Sequence, residues 1–475
     1  MFNEIQLILK FMRPAFSRKA AYCWFVICFF GFICRVDNYG VTSTIRALCL
    51  DPCHYTSLLH FFHSKSWKAE NFMQLWWKLV FEKEGGYLVN DRSVLIGDHT
   101  SVPKDGRKMP GVLAMHEHSE TSSKPSYFNG HSWGCISLVC KSIESYCSIP
   151  LYANIQDGAG RILENRKTPK TIQMVEMAQT ICRATNKKAY LVLDAYFPVG
   201  PVFDQAKKVL LDGLQQMVHI LVRCKKNVTG YETPKEKKGK TKGRKKVYGK
   251  KIKLFDTFES KRKNHKFKKS KAIMYNNEIV NFEYLVLDLM WKPLKGMVRF
   301  ILIRSPYGNL ILMTSDMNLD AVTAVGLYCK RSKIESMFNV LKNILGAMGY
   351  HFWSSYLSPN SRTPIKNSKR THKTTNLSAT ANTLEAMEKF VNLSLFVLGV
   401  LQIISKKFPD EVNTKAKSWL RTKSKGAPSE FITKLAIANM IKSNLIVFAK
   451  DWITDLITQK QEKPTNGGRK TKLAG

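Results

Sequence analysis

Through the first 85 residues, large apolar side chains return every three or four positions. Tyr55, Leu58, Leu59 and Phe62 form one such set, and Phe72, Leu75, Trp76 and Leu79 another. That spacing predicts α-helices with one buried face. Gly40 and Asp51-Pro52 interrupt the pattern, so the helices are short and joined by turns. Ala20 to Cys34 is apolar on every side. It follows Arg18 and Lys19 as a membrane anchor would, but it falls short of the roughly 20 residues that cross a bilayer, and it predicts a buried helix.

From residue 86 the period changes. Ser93–Gly97 is a short apolar run ending at Asp98, with strand-like segments following at 111–116 and 133–141. Residues 168–185 read as a helix and Ala189–Leu193 as a short strand ending at Asp194. A helix over 202–217 and a strand over 219–223 come next, and strand character returns over 279–314. A helix is expected over 321–348, then a polar linker, 358–378, and helices at 383–406, 411–423 and 429–458. Strands first and then alternating helices and strands predict an α/β fold with a mixed sheet. The boundaries read as 1–85 helical, 86–224 α/β, 225–320 a basic loop with β-rich sequence, 321–357 a long helix and 379–475 helical.

Charge sharpens the picture. Lys and Arg number 75 against 36 Asp and Glu, a formal +39 at pH 7. A compact chain with that excess repels itself unless a polyanion shares its space, which points to nucleic acid and away from an ordinary metabolic enzyme. The excess is densest over 225–271, where cations outnumber acids several-fold and the stretch TPKEKKGKTKGRKK is too polar to enter a core. Arg35, Arg46, Lys65 and Lys68 would give the N-terminal helices charge for DNA. The 11 cysteines lack disulfide-framework spacing, and Cys49, Cys53, His54 and His63 match no common zinc finger.

Two acids, Asp98 and Asp194, end short apolar strands, where α/β sheets present functional side chains. A third, Glu335, lies in the long helix beside Tyr328, Arg331 and Lys342. On an unbroken helix these four fall within about 60° of one another, on a stripe about 21 Å long. Three carboxylates from separate elements suit two Mg²⁺ or Mn²⁺ ions, and the flanking cations suit phosphates. Taken singly, an Asp after a strand is more often a turn residue or helix cap than a metal ligand, and a Glu such as Glu335 on an amphipathic helix more often faces solvent.

The spacing Tyr-(2)-Arg-(3)-Glu-(6)-Lys at Tyr328, Arg331, Glu335 and Lys342 resembles the signature of the DDE transposases of bacterial insertion sequences, in their hairpin-forming, cut-and-paste branch. Gly97-Asp98-His99-Thr100 and Leu191–Tyr196 around Asp194 are similar to that family's two aspartate motifs. The resemblance implies an RNase H-like mixed-sheet catalytic core interrupted by a β-rich insertion between Asp194 and Glu335. It implies Asp98, Asp194 and Glu335 as ligands of two metal ions, with Tyr328, Arg331 and Lys342 on DNA. It also implies binding of terminal inverted repeats, metal-dependent cleavage and strand transfer. The N-terminal helices would then bind DNA and the C-terminal ones dimerise in a synaptic complex, with no membrane involved and the bacterial nucleoid as location. An aromatic side chain from the insertion, Trp291 or Tyr307, would stack a flipped base. The rivals are a catalytically silent, transposase-derived DNA-binding protein and a membrane-surface protein built on the apolar run.

Overall fold

The structure, a computed structural model, describes the chain apart from residues 117–125, 164–166, 212, 214, 235–245, 260–265, 275–277, 365–372, 420–424, 448–449 and 464–475. Most of the low-complexity basic stretch, the middle of the polar linker and the C-terminal dozen thus lie outside the described residues.

The chain opens with helices α1 (Phe2–Phe11), α2 (Lys19–Cys34), α3 (Thr42–Ala47), α4 (Tyr55–His63) and α5 (Ala69–Glu84). Strands β1 (Leu88–Val89), β2 (Arg92–Pro103), β3 (Leu113–His116), β4 (Tyr127–Ser142) and β5 (Ser145–Asp157) follow. Next come α6 (Lys170–Thr185), β6 (Ala189–Leu193), α7 (Gly200–Lys207), β7 (Leu210–Leu211), β8 (Gln215–Gln216), β9 (Val218–Arg223), β10 (Thr229–Tyr231) and β11 (Lys251–Lys253). Then β12 (Lys268–Ile273), β13 (Ile279–Trp291), β14 (Gly296–Ser305) and β15 (Gly308–Thr314) lead into α8 (Ala321–Cys329) and α9 (Lys333–Asn339). Helices α10 (Leu377–Lys407), α11 (Pro409–Ala416), α12 (Glu430–Ile446) and α13 (Trp452–Gln461) close the chain. The expected mixture of helices with parallel and antiparallel strands is present.

Two compact units divide these elements. One holds Met1–Gly85, His99–Lys170 and Glu335–Gly475; the other holds Gly86–Asp98 and Thr171–Ile334. In the first, the helices from both ends of the chain share one core. Phe25, Phe29, Phe72 and Trp76 all meet Phe396 of α10 edge-on or tilted, the arrangement that ring quadrupoles favour. Gly399 makes room for this, since a Cβ there would lie 2.2 Å from Trp76 Cζ2. Among the described residues α10 is the one helix long and apolar enough to cross a membrane, and its apolar window is wholly buried inside the protein.

Among the described residues strand β5 pairs with β4 on one side only. Its other edge is completed by side chains rather than by a strand. Trp76 and Trp77 donate through Nε1 to the Pro150 and Leu151 carbonyls (2.8 and 2.7 Å), and Gln402 donates to Ser148 O (3.2 Å). Asn392 accepts from Ala153 N (3.0 Å) and donates to Ala153 O (2.7 Å), while Glu388 accepts from Ile155 N (3.0 Å). A buried strand edge needs every N–H and C=O answered, and α5 and α10 answer them here.

In the second unit the strands run β13-β14-β15-β9-β6-β2, with β2, β6 and β9 mutually parallel and the others antiparallel. All five residues of β6 are buried, as a parallel strand covered on both faces requires. A polar network sits at its start. The Tyr190 hydroxyl donates to Asp316 Oδ2 (2.6 Å), and His219 Nδ1 shares a hydrogen bond with the Ser315 hydroxyl (3.1 Å).

Three sequence expectations are corrected by packing. The helix expected over 202–217 stops at Lys207, because the chain reverses through a small β7–β8 hairpin with Gly213 at φ +70°. The helix expected over 321–348 is broken by a 3₁₀ turn at Lys330–Ser332 and a π-turn at Val340–Ile344. Arg35, read as a DNA contact, is 2% exposed. Its guanidinium donates to Leu345 O and lies over the Phe32 ring, and burial lowers its pKa to about 9.

Candidate active site

The second unit gathers five functional side chains, three of them through strand register and two, Tyr328 and Arg331, from α8 and the turn that follows it. Parallel pairing sets Ile96 opposite Val192. Continued by two residues, the same register sets Asp98 opposite Asp194. Likewise Leu193 lies opposite Val222, so Asp194 comes level with Arg223. Adjacent strands lie about 4.8 Å apart, so Asp98, Asp194 and Arg223 form a row across neighbouring strands, with Asp98 inside β2 rather than at the strand end expected of it, because β2 runs on to Pro103. Gly97 permits this close packing, because a Cβ there would lie 2.8 Å from Met174 Sδ and 2.9 Å from Leu193 Cδ2.

Each acid is held differently. Asp194 begins an Asx turn, its Oδ1 accepting from Tyr196 N at 2.9 Å, which fixes the carboxylate just beyond β6. Asp98 Oδ2 accepts from Arg331 Nη1 at 3.0 Å, with the two side chains 18% and 17% exposed. Tyr328 is 6% exposed. Burial raises the pKa of its hydroxyl, against the opposing pull of hydrogen-bonded Arg331 and Arg223. The phenol oxygen thus has both guanidinium groups as hydrogen-bond partners.

Arg223 is exposed and, among the described residues, has no carboxylate partner. Sequence reading passes over it as the last residue of an apolar strand. The available signal is the same one that marks the aspartates, a charged residue closing a buried strand (His219 to Arg223).

The other candidates lie in the first unit. Glu335 is in the first turn of α9 and exposed. Lys342 Nζ donates to Ser101 O at 3.2 Å, from within the π-turn rather than from an ideal helix. Among the described residues no three His, Cys, Asp or Glu side chains form a group able to hold a metal ion. Asp98 and Asp194 on their own are a pair of hard oxygen donors, the type that Mg²⁺ takes along with water and phosphate oxygens. They fit such an ion.

Of the two aromatic candidates, Trp291 is 5% exposed and packs edge-on against Phe203. It also lines a cavity of about 440 Å³ with Tyr196, Lys225, Tyr231 and Lys292. Tyr307, 56% exposed, sits at the tip of the β14–β15 hairpin with its hydroxyl 3.4 Å from Glu278. In the N-terminal helices Arg46 is paired with Asp37 (2.8 Å), while Lys65 and Lys68 are exposed. Cys49 and Cys53 are exposed thiols, and His54 packs edge-on against Trp24.

No curated protein matches the chain. The profile of the family described as DDE superfamily endonuclease matches residues 12–273, more than half of the chain, and takes in Asp98, Asp194 and Arg223. Two register-matched aspartates on neighbouring parallel strands, within a sequence bearing that profile, make this chain a member of the DDE endonuclease superfamily.

Proposed function

We propose that the protein is a DDE transposase of the cut-and-paste type, acting on the terminal inverted repeats of its own element. The observation that carries this reading is the level placement of Asp98 and Asp194, with Arg331 of the Tyr-Arg-Glu-Lys spacing seated on the first of them. Strand order favours an RNase H-like core, since β2, β6 and β9 are successive parallel neighbours and the antiparallel hairpin β4–β5 lies between β2 and β6 in sequence. Strands β13 to β15, between Asp194 and Glu335, would then be the insertion.

In this reading Asp98 and Asp194, with Glu335 as the third acid, hold divalent cations, which when bound supply charge neutralisation at the reacting phosphate. Arg331 and Arg223 bind phosphate oxygens on either side of the aspartates, and Tyr328 keeps the two guanidinium groups apart and aimed. Lys342 contacts a neighbouring phosphate. Water first attacks the scissile phosphorus and the P–O bond to the 3′ oxygen breaks, freeing a 3′-hydroxyl. That hydroxyl attacks the phosphorus of the opposite strand, closing a hairpin and expelling the 3′ oxygen of the flanking DNA; water reopens the hairpin, and the restored 3′-hydroxyl attacks a target phosphorus, expelling the target's 3′ oxygen. The cavity beside Asp194 would receive the displaced base, which selects Trp291 over Tyr307 as the stacking residue. The exposed Phe431, Ile446 and Val447 of α12 and its C-cap suit a second protomer in a synaptic dimer, because α10 is committed to its own core.

The test is Glu335→Ala in the purified full chain. Cleavage of end-bearing DNA should be abolished while binding stays within a few-fold of wild type, because the phosphate contacts remain. Cleavage at the wild-type rate would overturn the assignment.

A further inference from the structure

We propose that Arg331 occupies Asp98 as a stand-in cation, so that a divalent metal gains the aspartate pair only when a DNA phosphate draws the guanidinium away. This rests on the reading of Asp98 and Asp194 as metal ligands and adds to it an order of events.

The contact is direct, Nη1 to Oδ2 at 3.0 Å, and both partners are more than four-fifths buried, where water screens the pair weakly. Any metal arriving without DNA must break an existing charge-assisted hydrogen bond to reach Asp98. Arg331 also sits in a stretch suited to movement. Its 3₁₀ turn, Lys330–Ser332, interrupts the helical run between α8 and α9. Breaks of this kind inside a helix mark hinges. Tyr328 and Ile334 on either side are buried, so the turn can move while its flanks stay fixed.

A destination for the guanidinium is also present. Arg223 and the Tyr328 hydroxyl lie beside it, and an exposed arginine one strand beyond Asp194 recruits an anion to this end of the sheet. A phosphate bridging Arg223 and Arg331 would satisfy both guanidinium groups and release Asp98 beside Asp194. Metal and DNA then each raise the other's affinity by the same factor, as linkage demands.

The experiment is titration of the full chain with Mn²⁺, followed by electron paramagnetic resonance of the free ion, for wild type, Arg331→Gln, Arg331→Lys and Asp98→Asn. Thermal melts establish that each variant is folded. Without DNA, Arg331→Gln should bind Mn²⁺ about tenfold more tightly than wild type. Arg331→Lys, which keeps a cation, should stay near wild type, and Asp98→Asn should lose the site. Adding saturating random-sequence duplex at low salt should bring wild type up to the Arg331→Gln affinity and leave that variant unchanged. Equal Mn²⁺ affinity of wild type and Arg331→Gln, with the Asp98-dependent site present, would overturn the stand-in role and leave the metal reading intact. A wild-type affinity indifferent to duplex would overturn the coupling. Absence of any Asp98-dependent Mn²⁺ binding, with or without duplex, would overturn this proposal and the metal reading beneath it.

Discussion

Replacing Asn392 by leucine probes how the edge of β5 is held. The amide exchanges two hydrogen bonds with Ala153, accepting from N at 3.0 Å and donating to O at 2.7 Å, and Asn392 itself is fully buried. Leucine nearly matches the volume but answers neither backbone group, and among the described residues no strand pairs with that edge. An unanswered buried donor or acceptor costs about 1–3 kcal/mol. Two of them cost about 4 kcal/mol, from which roughly 1 kcal/mol is recovered because an amide no longer has to be desolvated. The net loss is about 3 kcal/mol. For a cooperative unit of roughly 300 residues, the unfolding entropy converts this into a fall of about 5 °C in Tm. Differential scanning calorimetry reads the shift, and hydrogen exchange at the Ala153 amide reads its origin. Asn439→Ala, which removes bonds to Lys415 O and Ala416 O nearer the surface, should cost under about 1 kcal/mol by comparison. An Asn392→Leu variant that melts within about a degree of wild type, against the fall expected from its unfolding entropy, with Ala153 still protected, would refute the claim that α10 completes this strand.

Arg223→Ala should reduce the slope of log K against log salt for DNA binding by roughly one unit, as loss of one phosphate contact requires; an unchanged slope would remove Arg223 from the interface. Lys342→Ala, which removes a side chain now donating to Ser101 O, should produce a similar loss of slope in the same titrations. The pKa of His219 is lowered to about 4 by burial and by Arg92. The unfolded chain, with an ordinary histidine near 6.5, takes up the proton first on acidification, so stability present above pH 6.5 is lost as pH falls toward 4. Urea denaturation at successive pH values should show that His219→Asn flattens this decline by up to about 3 kcal/mol; an identical decline in the variant would assign it to other groups.

Local pattern determined much of the molecule. The three- and four-residue apolar spacing of residues 55–79 specified helices, because one buried face is sufficient to position an amphipathic helix. Short apolar runs before Asp98 and Asp194 specified buried strands, since a parallel strand buries both faces, but only strand pairing decides that β6 stops before Asp194 while β2 continues through Asp98 to Pro103. Periodicity is blind to what is paired across the chain. Arg223 acquires meaning only when β9 is set beside β6, and Arg331 only when its turn meets Asp98, 233 residues away. The break at Lys330–Ser332 and the π-turn at Val340–Ile344 carry no Gly or Pro to announce them. Arg35 reads as a surface cation from its neighbours in sequence, yet it is buried because Phe32, Phe390 and the Leu345 carbonyl close around it. Asn392 and Glu388 look like ordinary polar positions of a helix until β5 arrives with its unpaired edge. Sequence specifies which faces must be buried, and tertiary structure chooses the partners, because hydrogen-bond and charge satisfaction depends on distant segments that no local spacing encodes.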